Sequence, residues 1–314
     1  MVEAARAAPP WFEPHLARWR QWRGDGRLAH GWLLTGRMGD GLEELAQALA
    51  GDLLCQTPAT DGGACGHCRA CELLAAGTHP DLFRLAPLED KTQISVGQVR
   101  ELIGDLSLHS QMLGARVGLI TPAEAMNAAA ANALLKTLEE PPSGCFLFLL
   151  SERPARLPAT IRSRCQRAVL RTPPTEAALR WLQARGLAGD AAALLEASQG
   201  AVFDTLRLAG NPEEAGALKT LLPDLDACLA RRLPVSDFAE RYKELPPGVL
   251  WPMLYRWLAA RIAQGARQGG ARVLRAPLDA LGELPANWRG QAMNLNRQIL
   301  LEDWLTRLML AQAA

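Results

Sequence analysis

Residues 131–142 read A-N-A-L-L-K-T-L-E-E-P-P, a short apolar run follows, and residues 157–165 read L-P-A-T-I-R-S-R-C. Leu134, Leu135 and Leu138 recur at helical spacing. Pro141-Pro142 stops that helix, because proline has no N–H to give and its ring clashes with the preceding turn. Cys145 to Leu150 is a continuous apolar run of strand length, the pattern of a parallel strand buried on both faces. Arg162, Arg164 and Arg167 then crowd a loop and its exit. A packed core accounts for the leucines. It does not account for the arginine density beside Ser163 and Cys165.

Toward the N-terminus the same alternation of strand and helix recurs. Gly31 to Thr35 (G-W-L-L-T) reads as a short buried strand, Gly36 to Gly41 as a turn, and Leu42, Leu45, Ala46, Leu49, Leu53 and Leu54 trace one face of a helix running to Cys55. Strand, glycine turn and helix make the frame of a phosphate-binding loop, and Gly36 and Gly41 have its separation. The chemistry is missing. Leu42 stands where the motif needs Lys for the terminal phosphates, and Glu43 where it needs Ser or Thr for magnesium. Asp40, Glu43 and Glu44 suit the positive end of the helix dipole but repel a triphosphate. The segment reads as a scaffold that binds no ATP of its own.

Cys55, Cys65, Cys68 and Cys71 follow as C-x9-C-G-H-C-R-A-C. Four thiols with tight C-x2-C steps predict a closed tetrahedral zinc site. Gly62, Gly63 and Gly66 let the loop fold around a metal. His67 lies inside the cluster but is left out, since the thiols complete the coordination. A catalytic zinc keeps one position open, so this site reads as a structural clip.

Asn132 to Pro142 followed by Ser163-Arg164-Cys165 resembles the bacterial clamp-loader subunits of DNA polymerase III, relatives of the AAA+ ATPases. The resemblance covers essentially the whole chain. It implies that Arg164, supported by Ser163 and Cys165, reaches in trans into the ATP site of a neighbouring subunit. It also implies a zinc insertion between the strand and the second helix. Active relatives carry an Asp-Glu pair straight after the strand that matches Val117 to Ile120; here Thr121 and Pro122 stand there. Thr121-Pro-Ala-Glu124 reads instead as a capping box with Pro at the first helical position. Active relatives also carry an arginine that senses the γ-phosphate, and Phe203 holds that position. The lost residues, kept S-R-C and four cysteines together most resemble the delta-prime kind, which has no ATPase activity. That implies a hetero-pentamer with gamma/tau and delta subunits, acting on the sliding clamp and primed DNA.

The fold class expected is an α/β parallel-sheet domain of AAA+ type over residues 1–172, carrying the four-cysteine insertion at about 55–71. Arg171 to Pro174 reads as a linker, residues 173–210 as a small helical lid, and residues 211–314 as an all-α collar that joins subunits. Breaks are expected in the collar at Pro223, Pro234, Pro246-Pro247 and Pro285. Trp251, Leu254 and Trp257 share one of its helices, Leu295, Ile299, Leu305 and Leu308 another, and Cys228 reads as a core thiol. Trp11 to Trp22 and Ser95 to Leu108 read as amphipathic helices, and His79 as a capping or hydrogen-bonding residue. Met1 to Trp22 has no apolar core of a signal peptide, and no run approaches the roughly 20 residues that span a bilayer. A cytoplasmic protein with reduced thiols is expected. Formal net charge is +1, which speaks against the alternative of a stand-alone zinc-bearing nucleic-acid module. Leu42, Glu43, Thr121 and Pro122 speak against the other alternative, an active gamma/tau-type ATPase.

Overall fold

A computed structural model of the chain describes residues 8–88, 91–112, 114–187, 191–245, 250–262 apart from 252, 256 and 260, and 296–313. The stretch that set the sequence argument lies at its centre. The leucine-rich segment forms helix α5 (Ala128–Glu139), and the apolar run forms strand β4 (Cys145–Ser151). All of β4 is buried except Phe146, which is half-buried. It pairs in parallel with β1 (Gly31–Thr35) on one side and β3 (Arg116–Ile120) on the other. With β2 (Leu82–Leu85) and β5 (Gln166–Val169) the five-stranded sheet has the order β2-β3-β4-β1-β5.

Successive side chains of a strand point to opposite faces, so β4 feeds two layers. Cys145, Leu147 and Leu149 join one buried cluster with Val99 and Leu102 of α4 (Val96–Ser107) and with Leu134 and Leu138 of α5. On the other face Phe148 lies 5.5 Å from Trp19 of α1 (Glu13–Gly24), and Trp19 lies 4.9 Å from Trp32 of β1. Helix α2 (Leu42–Leu54) also packs on the sheet. Ser95 caps α4: its hydroxyl accepts from Gln98 N, and the Gln98 side chain accepts from Ser95 N. The parallel sheet with helices fits an AAA+-like α/β domain.

Two local expectations fail. Thr121 to Glu124 is no capping box: the Thr121-Pro122 peptide is cis, a single 3-10 turn follows at Ala123–Ala125, and no side chain caps it. Helix α5 starts instead behind Asn127, whose side chain accepts from Ala130 N at 2.8 Å. Pro223 breaks nothing and lies inside α10 (Pro212–Leu229). Burial outweighs the local penalty there. Leu221, Leu225 and Cys228 of that helix are fully buried, and Tyr242 Oη donates to Asp224 Oδ2 at 2.7 Å with Thr220 Oγ1 2.9 Å away.

Packing divides the chain into Met1–Arg185 and Gly186–Ala314. Helix α7 (Thr175–Ala184) goes with the sheet, whereas α8 (Ala191–Ala197) and α9 (Val202–Ala209) go with α10. The second unit is helical at its described residues. Its core gathers Leu221, Leu225, Cys228, Phe238, Tyr242, Trp251, Leu254, Trp304, Leu305 and Leu308. Trp251, Leu254 and Trp257 are buried together, and the described residues among 250–262 are helical. Helix α11 (Val235–Tyr242), which starts behind Pro234, packs against α12 (Arg297–Ala313). Pro246, Pro247, Pro285 and Leu295 lie outside the described residues. Among the described residues no helix is long and apolar enough to cross a membrane.

His79, only 5% exposed ahead of β2, fixes the entry into the sheet: its Nδ1 accepts from Asp81 N at 3.1 Å. Burial lowers its pKa below the ordinary 6.5, against an opposing pull from Asp81. A proton on Nδ1 would set donor against donor. The unfolded chain therefore takes up this proton at a higher pH than the folded one, and the stability present above 6.5 is lost as pH falls below it. Thermal melting is expected to drop between about pH 7 and pH 5.5. His79→Asn, whose side-chain oxygen still accepts from Asp81 N, is expected to flatten that drop; superimposable profiles would assign it to other groups.

Candidate functional site

The glycine turn has the expected backbone and the wrong contents. Gly36 follows the last residue of β1, and a Cβ there would sit 2.6 Å from the Leu170 carbonyl oxygen, so only glycine fits. Residues Met38–Asp40 form a 3-10 turn, Gly41 takes φ 100°, and α2 begins. Met38 N, an N–H of this turn, donates to Glu152 Oε1 at 2.8 Å. Asp40 is fully buried, accepts from Thr172 Oγ1, and its carbonyl accepts from Trp11 Nε1 at 3.3 Å. Leu42 is 0% exposed, so the position of the missing lysine is core. Glu43 pairs with Arg84 at 2.9 Å. At the end of β3, Glu124 accepts from Arg153 N at 3.2 Å. Phe203 lies in the first turn of α9, in the other unit.

Arg164 lies at the opposite end of the sheet. A short helix α6 (Ala159–Arg162) leads to Ser163, whose hydroxyl donates to Thr160 O at 3.1 Å. Cys165 is buried beneath the turn, and burial pushes its thiol up to about 11, so it packs rather than reacts. Arg164 Nε donates to Glu139 Oε1 at 2.7 Å and Nη1 to Thr160 O at 3.0 Å. Strands β1 and β5 are parallel, with Trp32 facing Gln166 and Thr35 facing Val169. Arg164 precedes the first of these pairs and Gly36 follows the last. The length of a strand, roughly 10–13 Å, separates the arginine from its own glycine turn. Arg162 lies on α6, and Arg167 is exposed on the edge strand β5.

The four cysteines come together. Cys55 closes α2, Cys68 stands at the N-cap of α3 (Arg69–Ala75), and Cys71 lies in the first turn of that helix. All four Sγ atoms lie within 4.8 Å of one another, with 3.8 Å between Cys55 and Cys68 and 4.0 Å between Cys65 and Cys71. A zinc–sulfur bond of about 2.3 Å places tetrahedral sulfurs about 3.8 Å apart, so the donor set fits that metal. Backbone N–H groups already serve two sulfurs: Cys65 N donates to Cys55 Sγ and Cys68 N to Cys65 Sγ, both at 3.3 Å. Hydrogen bonds, first from the Thr57 hydroxyl, bring the Cys65 thiol down to about 5. Burial pushes Cys71 up to about 12 and raises Cys55. At Cys68 burial pulls upward but backbone hydrogen bonds outweigh it, and the thiol settles at about 7. The His67 ring lies against Cys65 O, 2.9 Å from Nδ1.

The sequence profile described as "DNA polymerase III, delta subunit" matches residues 13–174, just over half of the chain. The DNA polymerase III subunit delta' of Pseudomonas aeruginosa is 37% identical, the match covering 95% of this chain and 96% of that relative. The chain belongs to the delta-prime family of DNA polymerase III subunits. The delta' subunit of Escherichia coli is 35% identical, with 95% of this chain and 94% of the relative covered. Among solved structures, a gamma subunit-related protein of Thermotoga maritima aligns over 96% of this chain and 99% of its own, with a TM-score of 0.52 and 17% identity, a likeness of fold alone. Sequence reasoning placed the glycine turn, the cysteines and the S-R-C turn of this delta-prime chain. It missed Glu152, Glu139, Thr172 and Thr57, since each acts through contacts that no local pattern announces.

Core packing at Leu42 is directly measurable. Leu42→Lys puts an ammonium into a fully buried place and is expected to cost about 2–4 kcal/mol in chemical denaturation. A loss below about 0.5 kcal/mol, the range of ordinary surface changes, would show that the site opens easily to a lysine.

Proposed function

We propose that the chain is a non-catalytic clamp-loader subunit, which helps an ATP-driven assembly open the sliding clamp and load it onto primed DNA. Its neighbours in that reading are gamma/tau and delta subunits in a hetero-pentamer, in the bacterial cytoplasm. The 1–172, 173–210 and 211–314 division remains the proposed domain plan. The single observation that carries the reading is the separation of the two ends of the sheet. The chain's own glycine turn is filled by Leu42, Glu152 and Asp40, while Arg164 lies a strand's length away at the amino end of β5. An arginine placed there cannot serve its own turn. It suits an ATP held by the adjacent subunit, where its planar fork of donors matches phosphate oxygens better than a lysine would. The same filled turn removes support from an active ATPase.

Arg164→Ala is expected to leave folding and assembly intact and to slow hydrolysis at one interface. Arginine fingers are worth roughly 10³–10⁵ in rate at a single site, but only one site of several is affected, so total turnover falls by less. Arg164→Lys should not restore the rate fully. The measurement is DNA- and clamp-stimulated ATPase of a complex rebuilt with the variant. Unchanged turnover and loading in an intact complex would make Arg164 a structural residue. The isolated chain should neither bind nor turn over ATP.

A structural zinc on Cys55, Cys65, Cys68 and Cys71 belongs to the same proposal. Elemental analysis of protein purified without chelator is expected to find one zinc per chain. Changing Cys68 to Ser should release it and loosen the 55–71 loop, because metal binding is also local folding energy, while the sheet stays folded.

A further inference from the structure

One buried carboxylate close to the cysteines is used by nothing described so far. Asp52, in the last turn of α2, is 2% exposed. Its Oδ1 accepts from Ala64 N at 2.8 Å, and its Oδ2 accepts from Arg20 Nε at 2.9 Å. Arg20 reaches on with Nη1 to Asp61 Oδ2 at 2.7 Å, and Asp61 Oδ1 accepts from Gly63 N at 2.9 Å. Arg23 donates to the Asp52 carbonyl and, at 3.3 Å, to the Gly62 carbonyl. Three consecutive loop residues, Gly62, Gly63 and Ala64, are thereby pinned to α1 and α2. The next residue is Cys65. A Cβ at Gly63 would lie 2.5 Å from Arg20 Nη2, so a side chain there would have to push the guanidinium aside.

The consequence is geometric. Cys55 follows Leu54, the last residue of α2, and Cys68 and Cys71 are fixed by α3. Cys65 alone stands on the loop that joins these two helices. Its sulfur can meet the other three only if residues 61–64 bring it back across the end of α2. The buried carboxylate does this from α2 itself, three residues before Cys55, so two cysteines are referred to one rigid element. We propose that Asp52 is the positioning residue of the cysteine site: through Ala64 N and the Arg20–Asp61 link it sets the 61–64 loop and so presents Cys65 to the other thiols. The inference rests on the reading of the four thiols as a zinc site. A group that orients ligands without touching the metal typically changes metal affinity 10–100-fold when removed.

The test uses the full chain and Zn²⁺ competed against a chromophoric chelator, with Co²⁺ substitution as a spectroscopic report of the ligand geometry. Wild type should hold one ion tightly with a tetrahedral Co²⁺ spectrum. Asp52→Ala should lose about 10–100-fold in Zn²⁺ affinity and shift that spectrum. Asp52→Asn keeps an oxygen for Ala64 N but drops the charge facing Arg20, so its loss should be smaller. Asp61→Ala, on a side chain 59% exposed, removes only the outer link and folds in any case; a several-fold loss is expected. A merely structural role would lower the melting points of the metal-free and metal-bound proteins equally. The inference instead requires the gap between the two to shrink in Asp52→Ala. Wild-type affinity in both Asp52→Ala and Asp61→Ala would overturn it while leaving the zinc reading in place. A wild-type chain that takes up no Zn²⁺ would overturn the zinc reading first.

Discussion

The structure depends on the burial of β4 on both faces. A strand with no face in water must satisfy every backbone N–H and C=O from its neighbours, and parallel β1 and β3 do so. Parallel pairing forces each connection to cross over the sheet, which sends α2 to one face and α4 and α5 to the other, while α1, ahead of the first strand, is held on its face by Trp19 against Trp32 and Phe148. It also forces all five strands to end on the same side. The glycine turn and the S-R-C turn are thus assigned to opposite ends before any side chain is chosen.

The carboxyl ends of parallel strands are where such sheets normally receive ligands. Here that edge is tied together by the chain's own carboxylates. Glu152, after β4, takes the Met38 N–H of the loop after β1. Asp40, in that same loop, takes the hydroxyl of Thr172 beyond β5. Glu124, beyond β3, takes the Arg153 N–H beyond β4. Each carboxylate stabilises a loop through a charge-assisted hydrogen bond and adds negative charge where a triphosphate would need the reverse. In the proposed reading the missing lysine and the extra carboxylates push in the same direction, toward an edge that binds no nucleotide.

Much of this was legible in the sequence because burial writes its period into the chain. The apolar run of β4, the 3.6-residue pattern of α2 and α5 and the close spacing of Cys65, Cys68 and Cys71 are local signals. The errors were also local. Thr121-Pro-Ala-Glu124 matches a capping box letter for letter, but Asn127 wins the helix start, and Glu124 bonds instead to a residue distant in sequence, Arg153. Pro223 has the letter of a helix breaker, but its helix is held by buried Leu221 and Leu225 and by Tyr242 reaching across from α11. Glu152 and Asp52 were invisible because the Met38 and Ala64 N–H groups they take carry no letter in the sequence, and because Arg20, the other partner of Asp52, lies 32 residues away.

The resting state of Arg164 bears on how such an arginine can work. It is 35% exposed and paired with Glu139, itself 50% exposed, on the last turn of α5. An ion pair that open to solvent contributes at most about 1 kcal/mol, so it cannot trap the guanidinium against a polyanion. It can orient it. Glu139 Oε1 takes Nε and one Nη2 hydrogen and Thr160 O takes one Nη1 hydrogen, and a guanidinium has five N–H donors in all. One hydrogen on each of Nη1 and Nη2 remains for a further acceptor. The helix that carries Glu139 packs through Leu134 and Leu138 into the same cluster as β4. The orientation of the arginine is therefore referred, through α5, to the strand on which the whole sheet is built. In the proposed trans role this matters more than the strength of the pair. In that role the incoming phosphate would meet a guanidinium whose Nε edge is already biased by Glu139, so less of its order would have to be supplied on binding.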